Sequence, residues 1–140
     1  MNGPEILHLI RTDLQRALSR YGEPPKPEPI DCSPWVSMSL VQKSTRRGRE
    51  ALALRAAATL LREAPDRLWR RCACIAAENV GLASLETMGI VTAALAGKKF
   101  RADLGGEWRI ACCIISELCR AAQSGDREQP FHGIVSAHST

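Results

Sequence analysis

Five of the eight prolines in this chain of 140 residues lie between Gly22 and Pro34, and this cluster constrains the fold more than any other feature. Because proline fixes the backbone φ angle and lacks an N–H group, a helix cannot continue through such a run. We therefore predict an extended, proline-rich linker over residues 22–34. It separates an N-terminal helix, within residues 1–21, from a longer second part of the chain.

Apolar residues recur at helical spacing on both sides of the linker, and no segment shows the alternation that is typical of a strand. This pattern predicts an all-α fold, a five- to six-helix bundle whose last helix is apolar nearly all round and therefore central and buried. A loop is predicted from Lys98 to Gly106, and residues 124–140 are predicted to be a tail. The first helix either docks on the main body or reaches a neighbouring subunit. The predicted helices span Pro4–Tyr21, Pro34–Gly48, Arg49–Ala64, Asp66–Val80, Ser84–Ala96 and Glu107–Gln123.

Basic residues are concentrated in one stretch of the chain. The formal net charge is only +4, but nine basic and three acidic residues lie between Lys43 and Arg71. Two interpretations remain open: solvated helix faces with paired charges, or a surface that contacts nucleic acid or an acidic protein. The residues that would make such a contact are Lys43, Arg46, Arg47, Arg49, Arg67, Arg70 and Arg71.

Six cysteines are many for this length, but their spacing does not suggest a zinc knuckle, because none forms a C-x-x-C pair. We predict reduced thiols that pack as small apolar side chains. A metal site assembled from distant residues, with His8 or His132, is the weaker alternative. The six are Cys32, Cys72, Cys74, Cys112, Cys113 and Cys119.

Motifs of the common enzyme classes are missing, since the sequence has no P-loop, dinucleotide fingerprint or zincin motif. The histidines lie in terminal segments, at His8, His132 and His138, which is poor placement for acid–base catalysis. We therefore predict a non-enzymatic protein without catalytic residues, metal, cofactor or small-molecule substrate. No apolar run is long enough to span a membrane and the N-terminus is unlike a signal peptide, so we expect a cytoplasmic protein with no membrane partner.

Three short segments carry a resemblance to a known family: LVQKSTRRG at residues 40–48, LWRR at residues 68–71 and IAAENVGLA at residues 75–83. In order and separation they resemble the C-terminal helical collar of clamp-loader-type AAA+ ATPases, most of all the RarA/MgsA branch of replication-associated recombination ATPases. In that family the collar holds subunits in a ring and supports DNA transactions, while a separate domain hydrolyses ATP. The resemblance implies a collar-like domain over residues 35–123.

The chain departs from the family pattern at Gln42, where the family often has His, and at Asn79, where it often has Asp. It also lacks the ATPase motifs, so only the function of the collar carries over. The resemblance therefore implies a non-enzymatic interaction or oligomerisation module that binds itself or a larger protein of DNA replication, repair or mobile elements. The alternatives are direct nucleic-acid binding through the basic stretch, and a small phage- or plasmid-type inhibitor or adaptor.

A structural salt bridge is predicted among Lys43, Arg71 and Glu78. Glu78 lies near a predicted helix C-terminus, where its negative charge opposes the helix dipole, so a compensating cation is expected. Arg71 lies seven residues earlier on the same face, and Lys43 is within reach from the preceding hairpin. We expect this pairing to hold the second helix to the fourth.

Overall fold

The computed structural model describes residues 3–80, 85–95 and 97–128, and all of the regular structure in these ranges is helical. The all-α prediction is therefore confirmed. A π-helical turn, Ala76–Val80, continues the fourth helix. The seven α-helices are α1 (Gly3–Arg20), α2 (Pro34–Arg46), α3 (Glu50–Glu63), α4 (Pro65–Ile75), α5 (Leu85–Ala94), α6 (Lys98–Asp103) and α7 (Glu107–Glu128).

Local signals in the sequence place two of the helix starts. The side chain of Ser33 caps α2 by accepting a hydrogen bond from the Val36 N–H at 3.3 Å, and Pro34 follows in the first turn. Pro65 likewise lies in the first turn of α4. Between α2 and α3 the chain turns at Gly48, whose positive φ of 70° favours glycine.

Two predictions of the helix pattern are wrong: one predicted loop contains a helix, and the last helix ends later than predicted. The predicted loop from Lys98 to Gly106 contains α6, which ends before glycines of positive φ, Gly105 and Gly106. This helix is six residues long, too short to show an apolar period in the sequence. The predicted tail also begins too early, because α7 continues to Glu128. The rest of the predicted tail, residues 129–140, lies outside the described residues.

The core is built around α7, as its apolar sequence predicts. All residues from Ile110 to Cys119 are buried, and α7 packs against each of the other six helices. Small side chains allow close approach elsewhere in the bundle: Ala53, Ala56 and Ala57 of α3 are fully buried, and α3 packs closely on α2.

The first helix and the proline-rich segment lie on the body of the bundle. Buried residues of α1, among them Leu14 and Leu18, face α5 and α7 of the same chain. The Trp108 indole N–H donates to the Pro24 carbonyl oxygen at 2.9 Å, and the Ile30 N–H donates to the Thr59 hydroxyl at 2.8 Å. The segment therefore follows the bundle surface between two anchored points.

All six cysteines are free thiols. Burial raises the pKa of four of them, Cys72, Cys112, Cys113 and Cys119, to about 12. Among the described residues no group of three or more side chains could hold a metal ion, while His132 and His138 lie outside them. None of the described helices is long and apolar enough to cross a membrane.

Candidate nucleic-acid interface

Helices α2 and α4 lie side by side, and two of the predicted basic residues, Arg67 and Arg71, contact α2. Near the start of both helices, the Arg67 guanidinium carbon lies 5.0 Å from the centre of the Trp35 ring. Two turns further along α2, the Arg71 Nη1 group donates to the Gln42 side-chain oxygen at 2.8 Å. The two helices therefore run in the same direction, and we call the groove between them the α2–α4 seam.

Across the seam, Arg71 and Glu78 are connected by hydrogen bonds through the side-chain amide of Gln42, which we call the relay, and not by the predicted direct ion pair. Gln42 accepts from Arg71 and donates through Nε2 to Glu78 Oε2 at 3.3 Å. No ion pair joins Lys43, Arg71 and Glu78 in the structure, although all three side chains are described. An amide can donate and accept at once, so Gln42 makes a hydrogen bond to each of its two charged neighbours. Sequence reasoning noted Gln42 only as a departure from the family pattern.

Trp35 is an exposed aromatic side chain beside a cation. It is 68% exposed, which is unusual for the largest apolar side chain in a chain with few aromatic residues. The Arg67 guanidinium over its ring gives a cation–π contact worth about 0.5–1 kcal/mol at an exposed site. The contact fixes the position of Arg67 at the start of the seam and leaves its charge at the surface.

Four further cations lie at the other end of α2 and in the turn that follows. Lys43, Arg46, Arg47 and Arg49 are exposed, and no ion pair neutralises any of them within the described part of the chain. Arg46 follows Gln42 by four residues and therefore lies on the seam face of α2. The nearest acidic residue in sequence, Glu50, is occupied by a short hydrogen bond from the Ser116 hydroxyl.

Arg70 lies apart from the seam. It lines a separate cavity, together with Lys98 and Arg101 of α6. The sequence analysis did not single out Lys98 or Arg101, because α6 was predicted to be a loop. The structure thus brings six of the seven predicted basic residues to the seam and the α2–α3 turn, and assigns Arg70 to a second basic site.

A buried carboxylate, Glu117 of α7, is the other polar cluster in the bundle. Its oxygens accept hydrogen bonds from Arg20 at 3.1 Å, Tyr21 at 3.1 Å, Arg120 at 2.9 Å and Thr87 at 3.4 Å. Burial and the Glu117 charge raise the pKa of Tyr21 to about 12. The carboxylate is thus held by donors from α1, α5 and α7, which is the arrangement of a structural network.

A cavity of about 370 Å³ lies beside this network and is lined by Tyr21, Glu23, Glu50, Cys112 and Ser116 among others. Its cysteine is unsuited to nucleophilic attack, because burial raises the pKa of the Cys112 thiol to about 12 and keeps it protonated at neutral pH. The two glutamates do not favour an anionic ligand. The basic surface is therefore the better candidate for a binding function.

The comparisons with known proteins add no relative to this picture. The resemblance to a clamp-loader-type collar accordingly stays a hypothesis drawn from the residues at 40–83. No protein-family model, curated protein or solved structure matches this chain.

Proposed function

We propose that this protein binds the phosphate backbone of nucleic acid through a basic surface formed by the α2–α4 seam and the α2–α3 turn. The observation that carries the proposal is the set of exposed cations there, Lys43, Arg46, Arg47 and Arg49, that form no ion pair in the described part of the chain. Unpaired cations on one surface are the usual electrostatic footprint of a polyanion-binding protein. Arg67 and Arg71 extend this surface along α4.

The dimensions of the basic surface suit a short stretch of duplex. From Trp35 to Arg46 the helix rises about 16 Å at 1.5 Å per residue. That length corresponds to about five base pairs at 3.4 Å each along one strand. Contacts from lysine and arginine to phosphates carry no sequence information, so binding through the backbone alone is expected to be independent of sequence.

The salt dependence of binding tests this proposal. Fluorescence anisotropy with a labelled duplex, between about 50 and 200 mM salt, gives the number of phosphates contacted from the slope of log K against log salt. We expect the double variant Arg46→Gln/Arg47→Gln to lower that slope by about 2 and to weaken binding at least about tenfold at the lower salt.

The matched control is Arg16→Gln/Arg62→Gln, which also removes two exposed arginine charges. Each of these arginines pairs with an acid, Asp13 or Glu63, and both lie outside the seam. We expect the control to change affinity by less than about twofold. Equal losses in the two double variants, or no binding by the unaltered protein at the lowest salt, would contradict the proposal.

A second candidate function is self-association or docking on a larger protein, as the collar resemblance implies. The observation that favours it is an exposed apolar pair on α1, where Ile6 is 44% and Leu9 is 48% exposed. Residues three apart lie on one helix face, so these two side chains form a single strip. Such a strip is a feature of surfaces that dock another helix.

Light scattering at low and high salt tests this second function on the same protein. An oligomer held by apolar side chains survives high salt and dissociates in the variant Ile6→Ser/Leu9→Ser. Val36→Ser, which alters an exposed apolar residue on α2, is the matched control. A monomer under all conditions, with or without a duplex, would rule out self-association.

A further inference from the structure

The second basic site is a cavity that is lined mostly by charged side chains. It has a volume of about 380 Å³, and its walls include Arg70 of α4, Leu95 at the end of α5, and Lys98 and Arg101 of α6. Asp66 is the acidic side chain among the residues that line it. A cavity of this size falls in the range, about 300–1,000 Å³, that holds small-molecule ligands.

Arg101 is a buried and rigidly held cation in this cavity. Only 6% of the residue is exposed, and its guanidinium carbon lies 4.6 Å from the centre of the Trp69 ring. Its Nη1 group donates to the Ala94 carbonyl oxygen at 2.8 Å, and its Nε lies 3.5 Å from a carboxylate oxygen of Glu107. These contacts fix the plane of the guanidinium before any ligand binds, which lowers the entropy cost of binding.

Two buried donors on residues that line the cavity lack a hydrogen bond of good geometry, although one of them, Arg101 Nε, lies 3.5 Å from a Glu107 carboxylate oxygen. The Trp69 indole N–H and the Arg101 Nε–H make no hydrogen bond to the described residues, and both atoms are inaccessible to solvent. Buried donors normally have an acceptor, so a buried donor without one calls for an explanation, such as a bound water or ion. Both belong to side chains that line the same cavity.

Two exposed cations, Arg70 and Lys98, stand at the mouth of the cavity, and neither forms an ion pair with the described residues. Together with Arg101 they give three positive charges. Glu107 neutralises part of the charge of Arg101, and Asp66 opposes the others. Three cations against two acidic groups leave a net charge of about +1, so the cavity favours an anion, and guanidinium and ammonium donors suit the oxygens of a phosphate group.

We propose that this cavity binds a phosphate monoester. Arg101 holds the phosphate oxygens inside the cavity, Arg70 and Lys98 hold them at the mouth, and the organic part of the ligand lies against Leu95. The group is carried either by a small organic phosphate such as a mononucleotide or by the terminal phosphate of a nucleic-acid strand. None of the residues that line the cavity takes part in the seam contacts, so the site does not depend on the proposed function.

The indole resonances of the three tryptophans provide a direct assay. In a proton–nitrogen NMR spectrum each indole N–H gives its own peak, and Trp69→Phe identifies that of Trp69. The titrants are inorganic phosphate and adenosine monophosphate, each compared with sodium chloride at equal ionic strength. We expect both phosphates to shift the Trp69 peak in a saturable way while the Trp35 peak is unaffected. An equal shift with chloride, or no shift at millimolar phosphate, would overturn the proposal.

Variants at the mouth test the assignment without disturbing the buried residues. Arg70→Gln and Lys98→Gln should each weaken phosphate binding by about tenfold, the loss expected for one charge-assisted hydrogen bond. Asp66→Asn should strengthen it by about two- to fivefold, a gain that no folding defect can produce. Arg62→Gln, an exposed arginine paired with Glu63, is the control and should have no effect. Unchanged affinity in both mouth variants, or weaker binding in Asp66→Asn, would contradict the assignment.

Two short single strands distinguish the sources of the phosphate. A strand with a 5′-phosphate that shifts the Trp69 peak at lower concentration than the mononucleotide indicates a strand terminus as the ligand. Tighter binding of the mononucleotide indicates a small organic phosphate. Equal shifts from strands with a 5′-phosphate and with a 5′-hydroxyl group would show that the cavity takes phosphodiesters, and would overturn the proposal. The variant Arg46→Gln/Arg47→Gln should bind the mononucleotide as the unaltered protein does, so failure of the seam and failure of the cavity are distinguishable.

Discussion

Removal of the arginines around Glu117 is expected to destabilise the protein more than removal of Glu117 itself. The Glu117 side chain is completely buried, whereas those of Arg20 and Arg120 are 36% and 55% exposed. When the glutamate loses its charge, both arginines can turn to water. When the arginines are replaced, the carboxylate stays in the core with hydroxyl donors from Tyr21 and Thr87.

The magnitudes follow from this difference in exposure. In Arg20→Gln/Arg120→Gln a buried carboxylate loses its counter-charges, which costs about 3–5 kcal/mol. In Glu117→Gln the shape is kept and the loss is that of charged hydrogen bonds, about 1.5–3 kcal/mol. For a chain of this size about 4 °C in melting temperature corresponds to 1 kcal/mol, so we expect decreases of about 12–20 °C and 6–12 °C respectively.

Urea denaturation measures both free energies of unfolding, and equal m-values show that the same folded surface is being compared. Arg16→Gln is the control, because Arg16 pairs with Asp13 at 3.8 Å on the surface, and it should cost less than about 0.5 kcal/mol. If Glu117→Gln destabilised the protein as much as the double arginine variant, burial would not be the source of the asymmetry and the reasoning would be refuted.

Three further results are expected. A thiol reagent should label the exposed Cys74 first and the half-buried Cys32 next, and should reach the other four thiols only in denaturant; six fast thiols would contradict the packing. Because those four thiols have pKa values of about 12 in the folded protein, against 9.0 for a free thiol, the unfolded state releases its protons first. These protonated thiols therefore contribute fully to the free energy of unfolding below pH 9. That contribution is lost as the pH rises towards 12, by up to about 1.4 kcal/mol per pH unit for each thiol. Denaturation at several pH values measures this loss, and a free energy of unfolding that does not change with pH would exclude it. Gly48→Ala should cost at least about 1 kcal/mol, because φ is 70° and a residue with a Cβ is strained in this conformation, whereas the nearby Gln123 side chain can move away. Gly22→Ala, with no atom within 4 Å, is the control, and equal denaturation midpoints for the two variants would contradict the backbone strain.

The elements that sequence reasoning predicted well are those whose signals are local. A serine followed by proline marks the start of α2, and an apolar surface on all sides marks α7 as the central helix. The missed helix, α6, has no such pattern. Among the α6 side chains that the structure describes, the buried one is Arg101. An arginine in sequence predicts exposure, because its burial depends on Trp69 and Glu107 from other elements.

The basic surface likewise combines residues that the sequence indicated with contacts that depend on how the helices pack. Clustering of charge in the sequence indicated which residues to consider, but not that Arg70 and Arg71, adjacent in the chain, would face different sites. Neighbouring helical residues point about 100° apart, so the partners of each depend on which helix packs on which side. The relay through Gln42 likewise depends on the register between α2 and α4, which no local pattern specifies.

The central position of α7 has a consequence for the order of events in biosynthesis. Every other helix packs on α7, and its buried residues extend to Ala122, so the earlier helices emerge from the ribosome with their apolar faces uncovered. At about 5–20 residues per second, the interval between emergence of α1 and of α7 is several seconds or more. During that time the nascent chain has exposed apolar surface that chaperones bind, and cooperative folding is expected only after α7 has been released.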